Sequence, residues 1–373
     1  MFGLLGTIPA LQFEGDGLGS ILSLSWVFLI LAMFVYGQRI QVFLTLRRSK
    51  GKLDKLERMM KTSRLKFIET TSKYSTSKEE IEKRVDALLD FFVISPVGLD
   101  PNGIVGKVEH LLNTSETVMK DEVRRLAPQA DVHRVNSLSN LLEVSLGLNN
   151  MYRIIRHFYI SGKKMGSMLA TMQLQMVLPM IMDSADAHYS SLNAFSEGLT
   201  IGDGLGPMVA SKLAGSAPKK EIANETSVSE TGLDGRHLLI ISATGPGGTV
   251  GRPGEAIQKT IETYARPEMI ITIDAALRLE GEKSGEVVEG IGAAIGGPGV
   301  DRYKIEQVAT EKGIPLEAFV VKMSEKEAIS QMGPELEKSI DKVIARLRRA
   351  IGERTKVGDT ILLAGIGNAQ GVI

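Results

Sequence analysis

Near residue 200 the spacing of apolar residues changes period, and no single type of secondary structure can hold both halves of the chain. Before that point apolar residues recur three and four apart, as on helices. Ser77 with Glu80 forms a capping box, and Ile81, Val85, Leu88 and Leu89 follow on one face. Pro96, Pro101 and Pro128 separate further helices. After Thr200, short β-branched runs alternate with helical stretches across glycine-rich turns, the pattern of an α/β domain with a mostly parallel sheet and helices on both faces. Strands are expected at 237–243, 269–273, 318–322 and 360–365, and helices at 208–213, 254–264, 301–312 and 334–352. Residues 219–231, rich in Glu, Ser, Thr and Asn, read as a mobile loop.

A second feature sets the organisation of the first half. From Leu18 to Tyr36 no charged residue interrupts an apolar run, about the 20 residues a bilayer core requires of a helix. Trp26 and Tyr36 suit its interfaces. Glu14 and Asp16 precede the run, whereas Arg39, Arg47, Arg48, Lys50, Lys52, Lys55, Arg58 and Lys61 follow it, and the basic flank is the one retained in the cytoplasm. A cleaved leader needs a basic start and a small-residue cleavage site, and neither stands here. The expected layout is a short extracytoplasmic segment at 1–17, a transmembrane anchor at 18–38, an all-helical cytoplasmic region at 39–199 and an α/β domain at 200–373. The partners expected are the lipid bilayer through 18–38 and a protein partner or peptide substrate on the body.

Charge excludes some functions. Forty-four basic residues balance 44 acidic ones, which leaves no footprint for nucleic acid. Without cysteine there is no disulfide, thiolate metal site or cysteine nucleophile. Met165, Met168, Met172, Met176 and Met180 make a stripe along one helix side, which reads as adaptable core or as a partner-binding groove. Asp186 and His188 lie close enough to suggest metal ligands but read as solvated helix face.

Chemistry concentrates in the turns of the second half. Gly245-Pro-Gly-Gly-Thr-Val-Gly251 lies between a strand and a helix, where backbone amides can cradle an anion or where the turn needs only close packing; Gly245 and Gly247 are its candidate binding positions. Gly290-Ile-Gly-Ala-Ala-Ile-Gly-Gly-Pro-Gly299 offers Gly297 and Gly299 in the same way. Neither turn carries the Gly-Lys-Ser/Thr of a phosphate loop nor Rossmann spacing, so no cofactor is expected. Two aspartates add reactive groups. Asp203, flanked by Gly202 and Gly204, opens a helix, and Asp274 ends a strand, at the carboxyl edge where ligand sites of α/β sheets gather.

At these residues the chain resembles the fold family that contains the hydrogenase maturation endopeptidases and the bacterial spore germination protease. That family has a Gly-x-Gly-Asn turn after a strand, an acidic residue in a motif like Asp-Ala-Leu-Gly-Pro opening a helix, and a strand ending in Ile-Asp-Ala-Leu. Gly365-Ile-Gly-Asn368, Gly202-Asp-Gly-Leu-Gly-Pro207 and Ile273-Asp-Ala-Ala-Leu277 match these, and residues 289–322 follow the germination protease in order and spacing. The resemblance implies a phosphorylase/hydrolase-like domain, makes Asp203 and Asp274 the catalytic pair, and places Gly367 and Asn368 beside them. The Gly-x-Gly-Asn strand comes last here instead of first, which implies a circular permutation. Gly297-Pro-Gly299 replaces that protease's His-Pro-Gly, and with no histidine in the loop no metal is expected. The whole chain, anchor included, is also similar to a family of archaeal membrane-anchored proteins of unknown function. The expectation is therefore a membrane-anchored, cytoplasm-facing hydrolase, peptidase-like, with an aspartate pair. The alternative is a non-catalytic membrane scaffold or regulatory module that keeps the fold.

Overall fold

A computed structural model describes residues 17–96, 103–166, 168–264 and 266–373, without the side chains of 17–24, 32, 34, 35 and 38. The helical part runs through α1 (Gly17–Ser72), α2 (Lys78–Leu89), α3 (Ile104–Leu126), α4 (Val132–Met165) and α5 (Met168–Glu197). Two compact units divide the chain, Met1–Asp54 with Arg153–Pro179 and Lys55–Tyr152 with Met180–Ile373.

In the first unit Val42, Leu46 and Leu53 of α1, Ile155 of α4 and Leu174 and Leu178 of α5 are buried. Gln175 Nε2 donates to Thr45 Oγ1 at 3.3 Å. Trp26, Phe28, Leu29, Ile30, Leu31, Met33 and Tyr36 of α1 are exposed. Among the described residues no helix is long and apolar enough to cross a membrane. Of the expected anchor at 18–38, the side chains of 18–24, 32, 34, 35 and 38 lie outside the described residues, as do residues 1–16 of the expected outer segment. The methionine stripe is not core: Met172, Met176 and Met180 are 48%, 79% and 68% exposed, while Thr171, Leu174, Leu178 and Met182 face inward. Both faces of this helix carry apolar residues at the same spacing, so periodicity cannot say which one packs.

The second unit continues α2 to α4 into the α/β domain. In α2, Ser77 accepts a hydrogen bond from the Glu80 amide at 3.3 Å, and Ile81, Val85, Leu88 and Leu89 are buried. A single 3-10 turn, Gly202–Gly204, leads into α6 (Leu205–Ala214). Then follow β1 (Lys219–Ala223), β2 (Thr226–Leu233), β3 (Arg236–Ala243), α7 (Pro253–Thr263), β4 (Met269–Leu277), β5 (Val287–Ile291), α8 (Val300–Lys312), β6 (Leu316–Met323), α9 (Glu325–Ile329), α10 (Pro334–Arg354) and β7 (Thr360–Gly365).

The sheet runs β1-β2-β3-β7-β4-β6-β5. It is mixed, which corrects the expectation of a mostly parallel sheet: β3, β7, β4 and β6 are parallel neighbours, and the β1–β2, β2–β3 and β5–β6 pairs are antiparallel. The edges are the reason: β5 on one side and, on the other, the segment 219–231. That segment forms an edge hairpin instead of a loop, with Thr226, Ser227 and Ser229 buried, and so lacks the apolar run by which a strand is recognised. Alternating residues of the central strands fill two cores. Leu238, Ile240, Ile271, Ile273 and Leu363 pack with α6 and α10, whereas Leu239, Ile241, Ile270, Leu362 and Ala364 pack with α7 and α8. At roughly 1.5–3 kcal/mol for each large apolar side chain, these layers hold the domain together.

The last strand, β7, lies between β3 and β4 and is buried from Ile361 to Gly365. There α6 touches the sheet backbone to backbone: a Cβ at Gly206 would stand 2.0 Å from Ile366 O, and one at Gly365 2.3 Å from Gly206 O. Alanine for glycine inside a helix normally stabilises by roughly 0.5–1 kcal/mol. Gly352 of α10 has nothing within 4 Å of such a Cβ. Gly352→Ala should therefore raise the urea midpoint, and Gly206→Ala should lower it by about 1–3 kcal/mol in unfolding free energy. Equal shifts of one sign in the two variants would refute this account of the contact.

Candidate functional site

Asp203 occupies the turn before α6 without acting as its cap. Gly204 holds the N-cap position and no side chain caps it. The Asp203 carboxylate instead reaches the other turn, where Oδ2 accepts the Asn368 amide at 2.8 Å. The two turns interlock: Gly367 has φ 131° and a Cβ there would lie 2.0 Å from Asp203 O, while one at Gly204 would lie 3.1 Å from Asn368 O.

Asp274 arrives from β4. The expected strand 269–273 continues to Leu277, because β4 stays paired with β6 as far as Leu277 opposite Met323. On its other side β7 stops, its last pair being Ile273 with Gly365. Asp274 is thus the first residue of β4 past the end of β7, at the edge expected for ligands. Its Oδ1 accepts the Ala275 amide at 2.7 Å and its Oδ2 the Gly296 amide at 3.1 Å. The loop after β5 is pinned to β4 again where the Ala294 amide donates to Thr272 Oγ1 at 2.9 Å.

Both aspartates line one cavity of about 570 Å³, together with Gly297, Gly299, Gly367 and Asn368. Burial raises the Asp203 carboxyl, only partly offset by the Asn368 amide. Burial and then the charge of Asp203 push Asp274 well above the ordinary carboxylate range, against the pull of its two amides. Water still reaches Asp203, whereas Asp274 is 6% exposed. The pair is therefore one electrostatic unit in which a proton is held far more readily than on a surface aspartate. Among the described residues no group of three His, Cys, Asp or Glu is placed to hold a metal ion. Asp186 is paired with Lys55 at 2.7 Å, and His188 Nδ1 lies 2.9 Å from Ser184 O on its own helix.

The remaining candidate glycines serve packing. Gly202, Gly204, Gly245 and Gly247 are not on the cavity wall. A Cβ at Gly202 would meet Glu327 O at 2.2 Å, at Gly245 Val372 O at 2.0 Å, and at Gly247 His133 Cα at 2.8 Å. These positions are glycine because other backbone or a helix passes there.

The facing wall comes from α3 and α4, and the sequence reading missed it. Lys120 Nζ bridges Glu116 at 2.8 Å and Glu225 at 2.8 Å, and Arg252 reaches Glu116 at 2.5 Å. Asn136 Nδ2 donates to Glu225 Oε1 at 2.8 Å, Thr249 Oγ1 to Glu225 Oε2 at 2.6 Å, and Asn140 Nδ2 to Gly248 O at 3.0 Å. Burial alone would raise Glu225 and Glu116, but these cations and hydrogen bonds outweigh it and hold both below the ordinary range. In sequence each is one more polar residue on a helix or turn, and only the 105-residue separation closed by Lys120 and Glu225 makes a wall of them.

Two family models match the chain. One, described as a protein of unknown function (DUF1512) N-terminal domain, covers residues 23–198, and the other, a domain of unknown function (DUF1512) C-terminal, covers residues 201–373. No curated protein matches.

Asp203→Asn retains an acceptor for the Asn368 amide and removes the charge that raises Asp274. A carboxyl raised on folding binds its proton more tightly in the native state, so stability falls as pH rises from about 3.9 through the native pKa. In Asp203→Asn the Asp274 carboxyl should titrate lower and stability should fall less steeply between about pH 4 and 8. Carboxyl NMR titration and melting curves across that range check this, and an unmoved Asp274 would show that the acids are uncoupled.

Proposed function

The chain belongs to the DUF1512 family, and from the site itself we propose that it is a hydrolase of peptide bonds in which Asp203 and Asp274 act as a proton-sharing pair. One observation carries this reading: an acid in the turn before α6 and an acid on β4 line one cavity, coupled by charge, with backbone amides as their hydrogen-bond partners. Asp274, which feels both burial and the Asp203 charge, holds the proton and donates it to the substrate carbonyl oxygen. Asp203, ionised and still reached by water, takes a proton from the attacking water molecule. The tetrahedral intermediate collapses as Asp203 passes that proton to the leaving amine nitrogen while the C–N bond breaks, and Asp274 takes back a proton from a hydroxyl of the intermediate, which leaves a carboxylic acid and restores the singly protonated pair. Gly297, Gly299 and Gly367 keep the approach to the acids low, so an extended peptide backbone fits beside them.

The same proposal places the body at a membrane through residues 18–38, N-terminus outside and body in the cytoplasm. Support comes from the uncharged run Leu18 to Tyr36 and from the exposed Trp26, Phe28, Leu29, Ile30, Leu31, Met33 and Tyr36 on α1.

Asp203→Asn and Asp274→Asn should each lower peptide hydrolysis by about 10²–10⁴, the range for losing one acid–base group. The double variant should be no worse than the more impaired single one, because the pair acts as a unit. Wild-type hydrolysis should decline on the alkaline side as the shared proton is lost. Hydrolysis untouched by both substitutions would sink the catalytic reading and leave a scaffold that keeps the fold. For the anchor, a chain lacking residues 1–38 should leave the carbonate-resistant membrane fraction, and protease added on the cytoplasmic face should digest the full-length body. Retention of the shortened chain, or digestion from the opposite face, would overturn the proposed topology.

A further inference from the structure

The charges of the cavity wall do not balance within the wall. Lys120 is committed to Glu116 and Glu225, and Arg252 to Glu116. Asp301 accepts the Gly254 amide at 2.9 Å, and Asp203 and Asp274 accept backbone amides as described. Glu143 of α4 is different. It lines the same cavity, water reaches it, and it has no hydrogen-bond or ion-pair partner among the described residues. The protein around it and then the charge of Glu116 raise its carboxyl above the ordinary range, and the more distant charge of Lys120 offsets this only in part.

A neighbour on the same helix shows a second unmet need. Asn136 also lines the cavity and is 2% exposed. Its amide nitrogen is spent on Glu225, while its Oδ1 is buried without a hydrogen-bond partner. A buried acceptor left unsatisfied costs roughly 1–3 kcal/mol. The wall therefore offers one exposed carboxylate, Glu143, without a partner among the described residues, while Lys120 and Arg252 are already engaged. An incoming anion would meet only committed cations, whereas a cationic donor would pair with the Glu143 carboxylate. At about 570 Å³ the cavity has room for a peptide segment as well as such a group.

We propose that Glu143 is the specificity determinant of the site and selects peptides with a cationic group, ammonium or guanidinium, beside the bond presented to Asp203 and Asp274. This rests on the peptidase reading for the word bond, and on the cavity alone for the cation. A lysine or arginine side chain and a free N-terminal amine share the chemistry, so the probes are matched peptides, free or N-acetylated, with Lys, Arg, Gln or Glu scanned along the sequence.

With the full-length chain, kcat/KM for Lys and Arg peptides should exceed that for Gln peptides by about tenfold or more, the scale of a charge-assisted hydrogen bond. Glu143→Gln should remove that preference by bringing Lys and Arg peptides down toward the level of Gln peptides, and Glu143→Lys should turn it toward Glu peptides. Persistence of the preference in acetylated peptides assigns it to the side chain, and its loss on acetylation assigns it to the terminal amine. Fluorescence anisotropy on the Asp203→Asn/Asp274→Asn chain reads the cation separately. Binding of Lys over Gln peptides that depends on Glu143, without hydrolysis by wild type, upholds the subsite and refutes the peptidase. A Lys-to-Gln ratio that Glu143→Gln leaves unmoved in both cleavage and binding overturns the proposal.

Discussion

Two turns, one leaving β7 and one entering α6, occupy the same few ångströms because neither carries a side chain where they cross. Gly206 lies against Ile366 and Gly365, and Gly367 lies against the Asp203 carbonyl. Any Cβ at these contacts would stand 2.0–2.3 Å from a backbone oxygen, a distance that no rotamer change relieves. The contact has three consequences. It docks α6 on the sheet, it holds the central strand β7 in register with the helix above it, and it brings the Asn368 amide to Asp203. The acid is thus positioned by backbone, the least variable part of the fold. Asp274 needs only β4 to outlast β7 by a few residues to meet it at the same edge.

A second constraint closes the site from the helical side. Glu225, in the turn of the edge hairpin with φ 53°, gathers Lys120 from α3, Asn136 from α4 and Thr249 from the glycine-rich turn onto one carboxylate. A partly buried ion pair of this kind adds little net stability when whole, because desolvation offsets most of the attraction. Losing one partner is another matter, since about 3–5 kcal/mol separates a paired buried charge from a stranded one. The network therefore works as a locator: it fixes where α3 and α4 stand over the sheet, and with them the positions of Glu143 and Asn136 in the cavity wall. Lys304 with Glu109 at 2.5 Å ties α8 to α3 in the same way.

Much of the fold was legible because apolar residues and glycines report on burial directly. Residues 237–243, 269–273 and 360–365 read as strands from their β-branched and aliphatic runs, and the helices from their spacing and their Pro and Gly boundaries. The edge hairpin β1–β2 did not, because Thr226, Ser227 and Ser229 are buried polar residues on a strand whose sequence looks like a loop. The same limit hid β5, a five-residue edge strand that includes Glu289 and Gly290. At the site, Asp203, Asp274, Gly367 and Asn368 were legible as motifs, each local in sequence. Gly202, Gly204, Gly245 and Gly247 were legible only as glycines: the sequence says that a side chain is absent, not whether a ligand or another backbone takes the space. Glu143, Asn136 and the Lys120 node carried no local signal at all, since their meaning arises where α3 and α4 pack over the sheet.

The charges around the cavity separate what the fold needs from what it tolerates. Glu116 and Glu225 are partly buried, and each is supplied with a lysine or arginine and held below the ordinary carboxylate range. Asp203 and Asp274, across the same space, receive backbone amides and each other, and both are raised. Stability by itself would favour either a cation beside them or an apolar pair of similar size, since one buried acid already disfavours its own ionisation and a second compounds it. The chain keeps the unfavourable arrangement at the carboxyl edge of its sheet and relieves it nowhere within the wall. A local departure from the rule obeyed by Glu116 and Glu225 a short way off is where a protein trades stability for chemistry. Glu143 stands apart in the same way, because the wall that gives Glu116 and Glu225 their cations leaves this carboxylate without a hydrogen-bond or ion-pair partner among the described residues.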